Sequence, residues 1–269
     1  MSNSLENKTA VITGGAGVLC GSIAEYFASS GVKVGILGRS HDTVHQKVEE
    51  ILERGGEAIP LIADVLAIDQ LLAARDKMVK TWGQIDILIN GAGGNMSAAV
   101  VGPDQSFFNM PMEAFDQVFR LNLYGAVQSS QVFGEVMAMN KKGCILNVSS
   151  IAATLPLTRV VGYSAAKASL ENFTQWLAVE LAVKYGDGIR VNALAPGFFI
   201  AKQNRKLLLN EDGTLTQRGQ SIISNTPMNR FGEPEDLHGT AAWICSDGAR
   251  FVTGIVIPVD GGFSAFSGV

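Results

Sequence analysis

Short runs of Val, Ile, Leu and Ala recur along this chain, and longer amphipathic stretches fill the intervals between them. The runs fall at residues 8–13 (KTAVIT), 32–37 (VKVGIL), 58–63 (AIPLIA), 85–90, 143–148 (GCILNV), 188–194 (GIRVNAL) and 254–259 (GIVIPV). Nearly continuous apolar character over so short a span marks strands buried on both faces. The amphipathic stretches lie at about 18–30, 41–54, 67–82, 112–139, 161–185 and 234–246. This alternation predicts an α/β fold: a doubly wound parallel sheet with helices on both faces. No Pro/Ser linker, low-complexity tract or internal repeat breaks the pattern, so residues 1–269 read as a single domain. Two segments are longer than such a unit needs, 93–111 and 198–230. Both follow strands at the expected carboxyl edge of the sheet, where open α/β sheets bind ligands.

Composition excludes several classes. With 47% hydrophobic residues the chain has ample material for a core and is not a disordered protein. The balance of 21 basic to 25 acidic residues, net −4, gives no electrostatic grip on nucleic acid or an anionic membrane. The start, MSNSLENKTA, lacks the apolar core of a signal peptide, and no run of 18 apolar residues occurs. Cys20, Cys144 and Cys245 contain no CxxC pair, and His41, His45 and His238 are dispersed. Neither a disulfide scaffold nor a metal site is expected, and the protein reads as cytoplasmic.

The first strand runs into Thr13-Gly14-Gly15-Ala16-Gly17-Val18-Leu19-Cys20-Gly21 and then a helix. A Gly-rich strand-to-helix turn lets backbone approach a pyrophosphate, and the helix N-terminus offers free N–H groups. The spacing is not GxGxxG, so position in the first βα unit carries the argument. The second strand ends at Gly38-Arg39, where a carboxylate would select NAD. A guanidinium there suits the 2′-phosphate of NADP; otherwise it stacks on adenine or stays solvated. Asp64 either accepts from the adenine amino group or caps the helix that follows.

Tyr163 and Lys167, in YSAAK at the start of a helix, share one face. An ammonium near a phenol stabilises phenolate and makes a usable acid/base pair. Ser149-Ser150 ends the preceding strand, and a hydroxyl there can polarise a substrate carbonyl. Cys20, at the start of a helix, reads as a small buried residue.

TGGAGVLCG, Asp64, Asn90-Gly91-Ala92-Gly93, Asn122, Ser150, Tyr163-x-x-x-Lys167 and Pro196-Gly197 stand in the order found in the short-chain dehydrogenase/reductase family, which this protein resembles from Lys8 to the VDGG at 259–262. The resemblance implies a Rossmann domain with strand order 3-2-1-4-5-6-7, NADP or NAD as cofactor, and a homotetramer. By that resemblance Tyr163 is the acid/base, Lys167 holds the nicotinamide ribose and lowers the Tyr163 pKa, and Ser150 binds the reacting oxygen. Asn122 would hold a proton-relaying water. Gly14, Gly17, Val18, Leu19, Arg39, Asp64, Val65, Asn90, Gly91, Ala92, Pro196, Gly197 and Ile200 would line the cofactor, with Asn90 near the adenosine side. Two departures stand out: Val18 and Cys20 occupy positions where the family's turn carries glycine, and Ala201 stands where a Thr usually follows Pro-Gly.

The turn variant, GAGGN at 91–95, APGFF at 195–199, QNR at 203–205 and the ending VDGGFSAFSGV resemble a narrower group within that family, the D-mannonate oxidoreductases or fructuronate reductases. That implies a small keto sugar acid as substrate. Arg205 would pair with its carboxylate, with Arg159 and Lys202 in reserve. Asn95, Gln203 and Asn204 would meet hydroxyls, and Phe198 with Phe199 would line the pocket or cover the nicotinamide. Gluconate 5-dehydrogenase-like and other carbonyl reductases are the neighbouring reading. A cofactor-binding regulator on the same fold is the non-enzyme reading, against which stands the full set Asn122, Ser150, Tyr163 and Lys167.

Overall fold

The computed structural model describes residues 5–201 and 204–268. Seven strands form one parallel sheet in the order β3-β2-β1-β4-β5-β6-β7. They are β1 (Thr9–Thr13), β2 (Lys33–Gly38), β3 (Glu57–Ile62), β4 (Ile87–Asn90), β5 (Gly143–Val148), β6 (Ile189–Pro196) and β7 (Val256–Val259). Each expected strand is present within two residues. The side-chain period of two sends neighbours into opposite layers. Ala10, Ile12, Ile87 and Ile89 enter one core layer, and Val11 and Leu88 enter the other. Every residue of β1, β4 and β6 is buried, which is why these strands read as unbroken apolar runs.

The helices divide between the two faces. The layer holding Ile12 is covered by α1 (Val18–Ser29), α2 (His41–Glu53) and α9 (His238–Cys245), through Ile23, Phe27, Val44, Val48 and Ile244. The layer holding Val11 is covered by α3 (Ile68–Trp82), α5 (Gly125–Asn140) and α6 (Val161–Tyr185), through Leu71, Met78, Phe133, Met137 and Ala178. Two expectations are refined. The helix read as continuous over 112–139 is α4 (Met112–Phe119) joined to α5 by a widened turn at Arg120–Tyr124 with i→i+5 bonding. The long segment 198–230 contains α7 (Arg205–Leu208) and α8 (Gln217–Ser224), both too short for hydrophobic periodicity to announce.

Between β4, β5 and α6 runs a buried polar ladder. Asn90 Nδ2 donates to Asn147 Oδ1 at 2.8 Å and to Ser130 Oγ at 3.0 Å. Asn147 Nδ2 donates to Thr174 Oγ1 at 2.8 Å, and Thr174 Oγ1 donates on to the Leu170 carbonyl. Asn147 and Thr174 are wholly buried. At the far edge, the guanidinium of buried Arg190 donates to the Ile244, Ser246 and Val252 carbonyls, stitching β6 to the C-terminal end of α9.

Replacing Asn147 with Ala leaves the Asn90 amide and the Thr174 hydroxyl short of partners in the core. A loss of about 2–3 kcal/mol is expected, read as a lower urea midpoint with an unchanged slope.

Candidate active site

The strand order reverses between β1 and β4: the backbone moves from β1 to β2 and β3 on one side, then returns to place β4 on the other. Ligands of open α/β sheets bind in the crevice outside such a reversal. Here Thr13 Oγ1 accepts from the Gly91 and Ala92 amides at 3.0 and 3.1 Å, drawing the two strand ends together. Gly14 follows at φ +65°, in the left-handed region, and a Cβ on it would lie 2.9 Å from the Gly91 carbonyl oxygen. Gly17 caps α1 with no side-chain bond and no acidic residue in the first turn, so the opening amides of this 12-residue helix remain free for an anion. These features fit the pyrophosphate of a dinucleotide.

The departure at Cys20 now has a physical reason. Its buried Sγ occupies the space that a Cβ on Gly91 would need. Cys20 thus fills the space that the absent side chain of Gly91 leaves open. Burial pushes the thiol up to about 12 even though Lys167 pulls the other way, so Cys20 is a protonated packing group.

Several residues expected along the cofactor stand elsewhere. The Asn90 side chain points into the ladder rather than at the crevice. Val65 is 4% exposed and packs beneath Gly125. Asp64 neither caps α3, whose cap is Ala67, nor stands free. Its Oδ1 accepts from the Leu66 amide at 2.9 Å, and its Oδ2 lies 3.9 Å from a guanidinium nitrogen of exposed Arg39. Val18 is exposed at the turn; Leu19, Ala92, Gly197 and Ile200 are half-buried around it and beyond, and Pro196 is buried.

The residues expected to be catalytic converge at the carboxyl ends of β4 and β5. Ser150 leaves β5 in extended backbone, and its Oγ accepts from the Ala152 amide at 3.2 Å. Burial raises the Tyr163 phenol above its ordinary value, and Ser150 beside it pulls the other way. Lys167, 5% exposed, donates to the Val148 carbonyl at 2.6 Å and lies 5.5 Å from the centre of the Tyr163 ring. Desolvation brings its pKa down to about 8, against the attraction of Cys20 and Glu171. The Lys167 ammonium is thus bonded to a carbonyl and lies over the Tyr163 ring.

Asn122 sits in the widened turn between α4 and α5, a helix irregularity of the kind found at functional sites. Its amide donates to the Gly94 and Val118 carbonyls at 2.7 and 2.8 Å, and its Oδ1 accepts from the Gly94 amide at 3.1 Å. The side chain thus ties the widened turn to Gly94. A Cβ on Gly93 would lie 2.6 Å from Asn122 Oδ1 and 3.4 Å from Lys167 Nζ, so the two groups meet at that glycine.

The expected substrate residues fare unevenly. Gln203 and Lys202 lie outside the described residues. Arg205 is exposed at the start of a one-turn helix and has no ion pair among the described residues. Asn204 is spent on its own loop, donating to the Phe199 carbonyl and accepting from the Ala201 amide. Asn95 Oδ1 accepts from the Met96 amide. Phe199 is buried against Gly232. Phe198 packs edge-on to Phe263 at 5.0 Å and lines a cavity of about 350 Å³ with Met228, Arg230 and Asp260, away from the catalytic residues.

Two groups escaped the sequence reading. Glu171, one turn after Lys167, accepts from Ser149 Oγ at 2.7 Å and draws Lys167 toward its charged form. The four-residue spacing that singled out Tyr163 and Lys167 extends to it. Arg218, on α8, donates to Thr158 Oγ1 at 3.2 Å, reaching the segment just before Tyr163. No local pattern marks it.

A family model described as Enoyl-(Acyl carrier protein) reductase matches residues 17–264. The uncharacterized oxidoreductase UxuB of Bacillus subtilis (strain 168) is 49% identical over 275 residues, 99% of this chain and 98% of that protein. A Haemophilus influenza structure provisionally named D-mannonate oxidoreductase, with NAD bound, is 39% identical with a TM-score of 0.93, covering 99% of this chain and 98% of the other. A Beutenbergia cavernae structure provisionally named NAD(P)-dependent gluconate 5-dehydrogenase, with NADP at low occupancy, is 30% identical with a TM-score of 0.86, covering 98% and 99%.

Two outcomes follow from this geometry. Gly91→Ala is expected to destabilise the protein through its clash with Cys20, and Cys20→Gly added to it to restore stability, giving a non-additive thermal-melt cycle. Lys167→Met removes a buried ammonium. The gap between 10.5 and about 8 costs on the order of 3 kcal/mol at pH 7. The unfolded state binds the extra proton between those values, so stability rises with pH through that window. The variant is expected to be more stable than the wild type at pH 7, by up to that amount, with the advantage gone above pH 10.5.

Proposed function

The chain belongs to the short-chain dehydrogenase/reductase family, and from that premise we propose that it interconverts a keto sugar acid and its hydroxy acid, with D-fructuronate and D-mannonate as the pair. It is an NAD(P)-dependent oxidoreductase, as its relatives are. The observation that carries the chemical reading is the Lys167 ammonium 5.5 Å from the centre of the Tyr163 ring, with Ser150 beside the phenol. In the direction of reduction, Ser150 donates a hydrogen bond to the substrate carbonyl oxygen and Tyr163 delivers the proton to it. In oxidation Tyr163 takes the proton back. Lys167 is placed to hold the ribose of the cofactor, whose bound nicotinamide supplies or receives the hydride. Burial keeps Tyr163 protonated at neutral pH, the form that reduction needs.

The substrate reading is supported by the relative provisionally named for D-mannonate, which aligns end to end with this protein. A gluconate 5-dehydrogenase-like activity is the second reading, supported by a neighbour of similar shape. Both take a polyhydroxy keto acid. The cofactor reading is NADP(H), with NAD(H) also accepted. Exposed Arg39 is free to swing from Asp64 to a 2′-phosphate, and the Haemophilus relative binds NAD.

The enzyme reads as a cytoplasmic homotetramer; among the described residues no helix is long and apolar enough to cross a membrane. Trp176, Val179 and Val183 form an exposed stripe at 58, 65 and 79% along one face of α6, an apolar surface suited to a subunit contact.

Initial rates with D-fructuronate, 5-keto-D-gluconate and an acyl thioester, each with NADPH and NADH, test this reading. The highest kcat/KM is expected for fructuronate with NADPH. Tyr163→Phe is expected to lower kcat by at least about a hundredfold while cofactor binding, read by fluorescence titration, is retained. Wild-type turnover in that variant contradicts the mechanism.

A further inference from the structure

Three parts of the protein meet just ahead of Tyr163. The Val101 amide, in the first long loop, donates to the Arg159 carbonyl at 2.9 Å. Arg218, on α8 in the second long segment, donates to Thr158 Oγ1 at 3.2 Å. Residues 158–159 are therefore the seam at which both active-site segments close against the start of α6.

Arg159 adopts φ +78°, a left-handed conformation that a long side chain rarely takes. Such backbone is held only where its surroundings enforce it, and it concentrates at functional sites. Arg218 is half-buried beside it. Burial lowers the Arg218 pKa, and the positive charge of Arg159 lowers it further. Neither residue takes part in an ion pair among the described residues, whereas Arg39, Arg54, Arg75 and Arg230 each do. Two like charges thus share a partly desolvated seam with no carboxylate between them. That arrangement is unfavourable for the empty protein and favourable once an anion enters, because two guanidiniums can each offer a fork of donors to one carboxylate.

We propose that Arg159 and Arg218 form a carboxylate clamp that receives the acid end of the substrate. This rests on the keto-sugar-acid reading above and replaces exposed Arg205 in that role. The ketone and the carboxylate of a ketohexuronate stand at opposite ends of its carbon skeleton. The cation must then lie beside the acid/base group and not on it, as the seam before Tyr163 does. Because Arg218 belongs to the second long segment and the Arg159 carbonyl holds the Val101 amide of the first, a bound carboxylate also ties the two segments to the start of α6.

The test uses the enzyme with NADPH for rates and with NADP for titrations, and the variants Arg159→Gln and Arg218→Gln. KM for D-fructuronate is expected to rise at least tenfold in each, with kcat changed less than threefold. KM for neutral D-fructose and the affinity for NADP should stay within twofold. The melting temperature without ligand should not fall, since each substitution relieves a repulsion. Calorimetric titration with D-gluconate, D-glucitol and inorganic phosphate reads the clamp without turnover. Gluconate should bind the wild type at least tenfold tighter than either variant, and glucitol should not distinguish them. If the wild type reduces fructuronate and neither substitution changes KM, the clamp is wrong and the activity stands. If no keto sugar acid is turned over but the variants still lose gluconate affinity, the clamp stands and the activity is wrong. Phosphate binding more tightly than gluconate overturns the carboxylate assignment.

Discussion

The buried hydrogen bond between Asn147 and Thr174 is what fixes the catalytic helix to the sheet. A parallel sheet constrains its own strands through backbone bonds, but it does not dictate how a covering helix slides or turns against it. Apolar packing alone tolerates small shifts. A buried amide that must find its partner does not, because the penalty for missing it is large in a low-dielectric core. With Thr174 held under β5, Lys167 two turns earlier falls beside the Val148 carbonyl at the strand's end. Tyr163, one further turn back, falls beside Ser150. The register of the whole acid/base group follows from this one ladder.

The fold is legible in the letters because its cause is local. Strands buried on both faces must be apolar throughout, and helices between them must be apolar on one side, so the strand–helix alternation shows in the sequence. Tyr163 and Lys167 are legible for the same reason, since helical spacing brings them together. What escapes is set by distant partners. Asn90 looks like a cofactor residue because it ends β4, but Asn147, 57 positions later, takes its amide. Asp64 follows β3, yet Leu66 and Arg39 share its oxygens. Asn122 can be found in the sequence, but its bond to Gly94 cannot, because the widened turn that aims it there has no sequence pattern. Arg205 stands in a motif and is exposed, while Arg218, in no motif, reaches Thr158 just ahead of Tyr163.

Electrostatic cost gathers where function is proposed. Lys167 is an ammonium held out of water, Tyr163 a phenol pushed up by burial, and Arg218 a guanidinium beside another of its kind. Elsewhere, charges are paired at the surface, as Lys8 is with Asp247 and Arg230 with Asp236. Such asymmetry is the usual mark of a site whose groups are poised for a ligand and not for stability. The sheet and its ladder carry the stability that lets this edge remain poised.

The fit between Cys20 and Gly91 also bears on ancestry. The crevice has room for bulk on one wall only, so the two positions cannot change independently. Starting from a small residue at 20 and a larger one at 91, a lineage that first shrinks 91 passes only through a small void before 20 grows. The reverse order passes through an overlap of atoms, which is costly. A single contact between two small residues thus imposes a direction on history, and relatives that differ at one of these positions are expected to betray, at the other, which step came first.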